Sequence, residues 1–508
     1  MVNHDFDVII IGAGLSGICA AHHLSEKCPD KNFAILEGRN DIGGTWDLFK
    51  YPGIRTDSDM ATYGYVFKPW VGTNQFVDAP MIKKYLTETI EEDGTKEKII
   101  FNTWVEQAEW SSKNKCWTLI TQNKKTGYKS KMTANFIISC CGYYDHQQGY
   151  IPDYKNVKDF KGTFIHPQFW PEDLDYKDKN IIIIGSGATA VTLVPSLING
   201  GARHVKLLQR SPSYFVILPR EDNTVNRLSK VMPVEMAHQL TRWKNIKVGE
   251  IATTFALKYP RIAKLVFING IKSALPKDYD IDKHFTPKYY PMEQRMCVAP
   301  DGDFFKAISS GKASMVTDHI DCFTEEGIQL KTGKVMKADI IVSATGLKMV
   351  LAGGIKLYVD GNKIDPKDQI AYKSGVMMSD VPNFAAIFGY TTFPWTIKAD
   401  FASKYLCQLI NYMDQNYFTA AMVSKPKLAE NPQPFITTMN SGYIKRGINE
   451  FPKQGSSFPW KISQNMNEDK KLFENGKVND GHLKFYKFDE EMPTFEDVTT
   501  KKQSAYIN

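Results

Sequence analysis

The feature that most limits what this chain can fold into is a pattern used twice: an apolar strand, a glycine-rich turn and a helix. Its first copy runs Asp7-Val8-Ile9-Ile10-Ile11, then Gly12-Ala13-Gly14-Leu15-Ser16-Gly17, then Ile18 to Leu24 at helical period. A glycine triplet of this spacing is by itself a weak signal. Here a strand precedes it, a helix follows, and Glu37 closes the next strand, Phe33 to Leu36, about 20 residues on, as in a dinucleotide-binding unit. Gly12 permits the tight turn, Gly14 lets a pyrophosphate approach the backbone, and Gly17 lets helix and strand pack closely. Phosphates then face the helix N-terminus, whose unpaired N–H groups and dipole favour anions. Glu37 is placed to accept ribose hydroxyls.

The second copy is Asn180 to Ile184, then Gly185-Ser186-Gly187-Ala188-Thr189-Ala190, then a helix from Val191 to Leu197. It departs from the first where the acid should stand. After the strand His204 to Leu208 come Gln209-Arg210-Ser211, with Arg210 about 20 residues past Ala190. A carboxylate there would repel a 2′-phosphate, whereas a guanidinium holds one bidentately, so the second nucleotide is expected to be NADPH and not NADH. The first unit is expected to hold FAD, because a second glycine pair follows Glu37 in Gly43-Gly44-Thr45-Trp46-Asp47-Leu48. That segment runs on through Tyr51-Pro52-Gly53 to Arg55-Thr56-Asp57, a loop suited to lie close to a flat ligand.

A chain of 508 residues exceeds what one core supports. We expect an α/β architecture of two Rossmann-like dinucleotide-binding domains with a helical insertion. The first domain covers 1–150 and resumes over 347–420; the second covers 173–220 and 292–346. A linker over 151–172, an insertion over 221–291 and a C-terminal surface extension over 421–508 complete the chain. Within these, Lys98 to Val105, Trp117 to Gln122 and Lys129 to Cys141 read as strands of a small antiparallel layer that returns to the first domain's sheet. Met315 to Asp321 and Lys337 to Gly346 each read as one strand, and Ile397 to Met413 as a helix facing the flavin.

The net charge of +7 favours anionic small molecules and falls short of a nucleic-acid signature. The start carries no signal peptide, and the eight cysteines show neither CxxC pairs nor zinc spacing. Free thiols, a cytoplasmic location and no metal site are expected, with Cys140-Cys141 as buried strand thiols. Arg261 to Leu275 is too short and too charged to span a bilayer. A packed helix is the expectation there, with peripheral association at a membrane surface as the alternative.

Between the two nucleotide units lies Phe160-x-Gly162-x-x-x-His166-x-x-x-Trp170-Pro171, too rigid and specific a mixture for a passive tether. It matches the fingerprint of Baeyer–Villiger monooxygenases at every fixed position, and Gly43-Gly44-x-Trp46-x-x-x-x-Tyr51-Pro52-Gly53-x-x-x-Asp57 matches their second one. From about Asp5 to Lys487 the chain resembles this family, and within it the branch of the mycobacterial ethionamide-activating monooxygenase, through Gly44-Thr45-Trp46-Asp47-Leu48-Phe49, Gly185-Ser186-Gly187-Ala188-Thr189-Ala190, Gln209-Arg210-Ser211-Pro212 and Gln294-Arg295.

The resemblance implies that NADPH reduces FAD, that O₂ adds at the flavin C4a, and that the resulting peroxide attacks a ketone to give an ester or lactone. Arg295 matches the family's catalytic arginine, a fixed positive charge that cannot give its proton away. Asp57 matches the aspartate that orients it. Ser16, Tyr63 and Val105 join the FAD set, Arg55 and Thr56 the NADP set, and Gly162, His166 and Trp170 position the domains without taking part in the chemistry. Gln294 stands where many cyclic-ketone members have lysine, which throws more of the 2′-phosphate preference on Arg210. Oxidation of thioethers and thioamides is an expected second activity. The rival reading is a heteroatom-hydroxylating flavin monooxygenase, which shares both loops but usually lacks the Trp170-Pro171 ending.

Overall fold

The computed structural model describes residues 4–427 and 431–493. Its first sheet begins with β1 (Phe6–Ile11), which lies parallel to β2 (Phe33–Leu36) and, beyond it, β3 (Ile99–Ile100). On the other side the sheet continues through β4 (Thr103–Ser111), β5 (Cys116–Asn123) and β6 (Lys129–Ser139), an antiparallel meander. The strand β6 joins the two styles of pairing. Its first half alternates in burial and pairs with β5, while its last four residues are fully buried between β1 and the strand Phe384–Ala386. Alternation marks a sheet wet on one face and a continuous apolar run marks one covered on both. The meander is therefore continuous with the first sheet.

The expected strand from Lys98 to Val105 is two strands, because the chain turns at Asn102, whose φ is +55°. From β6 the chain enters a ribbon, β7 (Tyr144–Gly149), which pairs antiparallel with the returning strand Leu347–Met349. Both crossings between the two sheets run through this ribbon.

The second sheet contains β8 (Thr163–Ile165), β9 (Asn180–Ile184) and β10 (His204–Gln209). Its order is Ala313–Thr317, β10, β9, Ile340–Ser343, β8, all parallel. The segment expected as a linker thus supplies an edge strand, since Phe164 and Ile165 pair with Ile341 and Val342. Two further expectations are corrected. The stretch from Met315 to Asp321 is cut at Asp318-His319 into a strand of this sheet and the first strand of a hairpin, Ile320–Thr324. Lys337 to Gly346 likewise divides between Val335–Lys337 of the small antiparallel sheet and Ile340–Ser343 of the parallel one.

The insertion is helical, with Val234–Lys258 and Pro260–Ala274 as its long elements; Pro233 precedes the first and Pro260 opens the second, where a missing N–H costs nothing. The stretch after Lys425 is not only a surface wrap. Phe435, Ile436, Ile444, Phe451 and Ile462 form a core with Tyr143 and Phe388, and Asp469 is fully buried, bonded to Lys398, Tyr390 and Ser374. A carboxylate is buried only when paired and hydrogen-bonded, and these partners all come from the first domain. Residues 428–430 and 494–508 of the expected extension lie outside the described residues.

Candidate functional site

In the first glycine turn the helix α1 (Leu15–Lys27) starts immediately after Gly14. Gly12 has φ +104°, and a Cβ on it would stand 2.8 Å from the Cys140 carbonyl oxygen at the end of β6. At Gly17 a Cβ would lie 1.8 Å from the Gly12 carbonyl oxygen, so nothing but glycine lets α1 close on β1. Gly14 faces Gly44: a Cβ on Gly44 would be 3.2 Å from the Gly14 Cα. Two bare backbones opposite each other at a helix N-terminus leave a cradle that fits a diphosphate.

Glu37 is buried, its carboxylate accepting from the N–H of Ala13 at 2.7 Å and of Arg39 at 2.9 Å. Burial pushes its pKa up, against those two donors. Ser16 accepts from the Trp395 indole N–H at 2.7 Å, which ties the turn to the start of the helix Trp395–Gln415. Trp46 donates to the Tyr63 hydroxyl at 3.0 Å.

These groups open on a cavity of about 330 Å³. Its wall includes Gly12, Gly14, Ser16, Glu37, Gly44, Thr45, Trp46, Arg55, Thr56, Asp57, Tyr63 and Val105 from the first unit, and Ala188, Thr189 and Arg295 beyond it. Asp47 and Leu48, expected at the cofactor, stand behind that wall. Asp47 accepts from Lys83 at 2.6 Å and Arg39 at 2.7 Å; burial opposes ionisation, but these cations hold its pKa down. Leu48 packs in the core of the second unit. Cys141 also lines the cavity, and burial pushes its thiol up to about 12.

The Gly43–Asp57 segment bridges the two units. It starts at the first cradle and reaches the second unit at Gly53, where a Cβ would meet the Ser196 Oγ at 1.9 Å. Beyond Gly53 it makes two ion pairs. Arg55 donates twice to Asp303, at 2.5 and 3.3 Å, and Arg295 donates to Asp57 at 3.3 Å. Arg55 and Asp57 are therefore not paired with each other; each is held by a residue some 240 positions away. Around Arg295 gather the phenols of Tyr143, Tyr443 and Tyr144. The Arg295 side chain is 38% exposed and that of Asp57 46%, so the pair sits at the mouth of the cavity wall. Tyr143 and Tyr144 are bonded to each other at 2.9 Å.

The second glycine turn is more open. Gly185 repeats Gly12, with a would-be Cβ 2.4 Å from the Ala344 carbonyl oxygen, but a Cβ on Gly187 would meet nothing within 4 Å. Ala190 takes the place of the third glycine and is buried, while Ser186 shares a hydrogen bond with Ser213 at 2.9 Å. Arg210 is exposed at the end of β10. Gln209 is not free: its amide donates to the His284 carbonyl at 2.8 Å and to Thr317 at 2.9 Å.

In the linker, His166 is buried with both ring nitrogens committed. The Gly346 carbonyl, 3.1 Å away, can only accept, so Nε2 carries the proton, and Nδ1 accepts from the Gln168 N–H at 3.2 Å. Burial holds its pKa below the usual imidazole value, the Gly346 bond opposing. Its ring lies against Gly149, where a Cβ would come within 2.3 Å of Cε1. Gly149 and Gly346 flank the ribbon through which both crossings pass, so His166 fastens the linker to that joint. Gly162 is required by the Asp339 carbonyl, 2.4 Å from a would-be Cβ, and Trp170 is buried in the core of the second unit.

Sequence reasoning missed Asp303, Tyr143, Tyr144 and Tyr443. Asp303 follows the turn Pro300-Asp301-Gly302 and had a local cue. Tyr443 had none, since it comes from an aperiodic stretch far downstream.

The chain is similar to known proteins along nearly its whole length. Residues 10–68 match the model of an NAD(P)-binding Rossmann-like domain. The chain is 46% identical over 487 residues to the FAD-containing monooxygenase EthA of Mycolicibacterium smegmatis, covering 96% of this chain and 98% of that one. It is 48% identical over 483 residues to the probable FAD-binding monooxygenase AlmA of an Acinetobacter species, covering 95% and 96%. Among solved structures, an oxidized steroid monooxygenase bound to NADP superposes with a TM-score of 0.77 at 18% identity, over 95% of this chain and 99% of that one, a likeness of fold. With identity this high along nearly the whole length, the chain belongs to the family of EthA-type FAD-containing monooxygenases.

Proposed function

We propose that this protein is an NADPH- and O₂-dependent monooxygenase that uses FAD to insert oxygen beside a ketone carbonyl, giving an ester or lactone, and that it also oxidises thioethers and thioamides. The observation that carries the reading is the Arg295–Asp57 pair in a cavity wall shared by both nucleotide units. In balance, ketone, O₂, NADPH and a proton become ester, NADP⁺ and water.

The cradle of Gly12, Gly14, Gly17 and Gly44 would hold the FAD diphosphate, with Glu37 toward the ribose. Gly185 to Ala190 and Arg210 would hold NADPH. Bound FAD supplies the electron transfer and the activation of oxygen. The residues of the chain shape what happens next. Arg295 offers a positive charge held in place by Asp57 in the cavity wall, aimed before negative charge develops. It keeps its protons, so it stabilises developing negative charge without quenching it. Asp57 aims it. Burial raises the pKa of Tyr143, Tyr144 and Tyr443, so they stay neutral beside the guanidinium. His166 has no free nitrogen for proton transfer and acts as a fastener between the units.

The test is to supply the yellow, FAD-loaded protein with NADPH, ¹⁸O₂ and a mixture of linear ketones, aryl ketones and thioethers. Esters carrying one labelled atom, with sulfoxides beside them, are expected. Sulfoxides or N-oxides alone would move the chain to the heteroatom-oxidising class, and a thiol-reducing activity would refute both readings.

A further inference from the structure

The two long helices of the insertion leave much of their apolar surface outside, although the second also buries Ile268 and Ile271 in the core of the second unit. Toward the protein the first presents Ala237, Thr241 and Ala256, all small, and inserts Arg242 and Asn245 to bond the carbonyls of Ala61 and Gly64 and the carboxylate of Asp59. Toward solvent the pair presents twelve large apolar side chains between Val234 and Val266, among them Trp243 at 60%, Ile251 at 68%, Leu257 at 64% and Leu265 at 61% exposed. Ile262, Leu265 and Val266 follow one another at helical spacing on the second helix. A surface helix ordinarily turns its apolar stripe to the core, and exposed apolar patches of this extent mark interaction sites.

Charge selects the partner. From Arg227 to Lys277 the chain carries ten Lys and Arg and two Glu, a net of +8 against +7 for all 508 residues, so the rest of the molecule is near neutral. Some of these cations are used internally: Lys244 with Asp222, Lys247 with Glu250, and Lys264 with the Pro287 carbonyl. Arg227, Lys230, Arg261, Lys272 and Lys277 have no ion pair among the described residues, and Arg261 and Lys272 share the second helix with Ile262, Leu265 and Val266. A second copy docking through this face would bring two such charged patches together. An anionic bilayer surface meets both features, taking apolar side chains into the acyl boundary and lysines among the headgroups. Among the described residues no helix is long and apolar enough to cross a membrane.

We propose that the helices Val234–Lys258 and Pro260–Ala274 form a docking face for an anionic lipid bilayer, lying on it and not spanning it. Because Arg242 bonds the backbone around Tyr63, a cavity-wall residue, the docking helix and the cavity share a support.

The experiment is flotation of the FAD-loaded full-length protein with phosphatidylglycerol-containing vesicles and with pure phosphatidylcholine vesicles. Wild type is expected to float with the anionic vesicles at low salt and to be released as salt screens the lysines. Trp243→Asp with Leu265→Asp should lower the bound fraction about tenfold or more while FAD content and activity in solution stay unchanged. Arg261→Gln with Lys272→Gln should weaken binding to the anionic vesicles specifically. Should the first double variant lose FAD, acyl-brominated lipid provides the second reading: it should quench wild-type tryptophan fluorescence and quench Trp243→Phe much less. The proposal is overturned if wild type stays unbound at low salt, or if the substitutions leave binding or quenching unchanged. It is overturned equally if wild type ignores vesicles and the Trp243/Leu265 variant instead converts an oligomer to a monomer.

Discussion

The two glycine turns share one plan and differ in how far they are closed. Gly12 and Gly185 make the same contact, each against the carbonyl that ends the strand beside its own, Cys140 in one sheet and Ala344 in the other. The first turn is then walled in by Gly44, Trp395 and the buried Glu37, while the second leaves Gly187 and Arg210 toward open space. An enclosed site suits a cofactor retained through many turnovers, and an open one suits a cofactor exchanged at each. The third position carries the same lesson: Gly17 tolerates no side chain, whereas Ala190 sits comfortably in the core.

The largest effect is expected where the halves meet. Arg295→Ala should lower oxygenated product about 10²- to 10³-fold while FAD stays bound and NADPH consumption continues with release of hydrogen peroxide, measured by product and peroxide assays. Full product yield from the variant would separate the Arg295–Asp57 pair from the chemistry.

Next comes the closed turn itself. Gly17→Ala should give colourless protein, because the methyl group would have to displace the Gly12 carbonyl, at a cost of about 3 kcal/mol or more. The counterpart Ala190→Gly should cost about 1 kcal/mol and leave the yellow colour intact. If both variants keep FAD equally, the contrast between the turns is wrong.

The open turn predicts selectivity and not retention. Arg210→Ala should narrow the NADPH/NADH preference about tenfold, or ~1.4 kcal/mol, through KM for NADPH, with FAD content unaffected. Unchanged kinetics would reassign the phosphate site.

The joint predicts the smallest effects. His166→Ala should cut turnover several-fold with FAD retained. The His166 pKa is lowered on folding, so its contribution to stability is whole above the unfolded value near 6.5 and is lost as pH falls below it. His166→Gln should therefore flatten the loss of thermal stability on mild acidification, and an identical pH profile would return the residue to simple packing.

Both glycine turns, the parallel strands around them and the long helices were legible because strand, turn and helix are specified by neighbours in sequence: apolar runs, glycines that must avoid a Cβ, and prolines that interrupt helices. The fingerprint positions were legible too, but their reasons were not. Gly162 answers to the Asp339 carbonyl, and His166 to Gly149 and Gly346. Strand ends at Asn102 and Asp318 were misjudged because pairing partners, not local propensity, decide where a strand stops.

The sequence by itself determined that there would be two nucleotide units, one closed by an acid and the other by an arginine. Only the tertiary structure decided which charges face each other. It paired Arg55 with Asp303 and Asp57 with Arg295, set Asp47 behind the wall, and brought Tyr443 to the guanidinium from the far end of the chain. Glycine turns are short-range and follow from residues a few positions apart. Ion pairs across a cavity depend on how two separately specified units dock, and no local pattern encodes that.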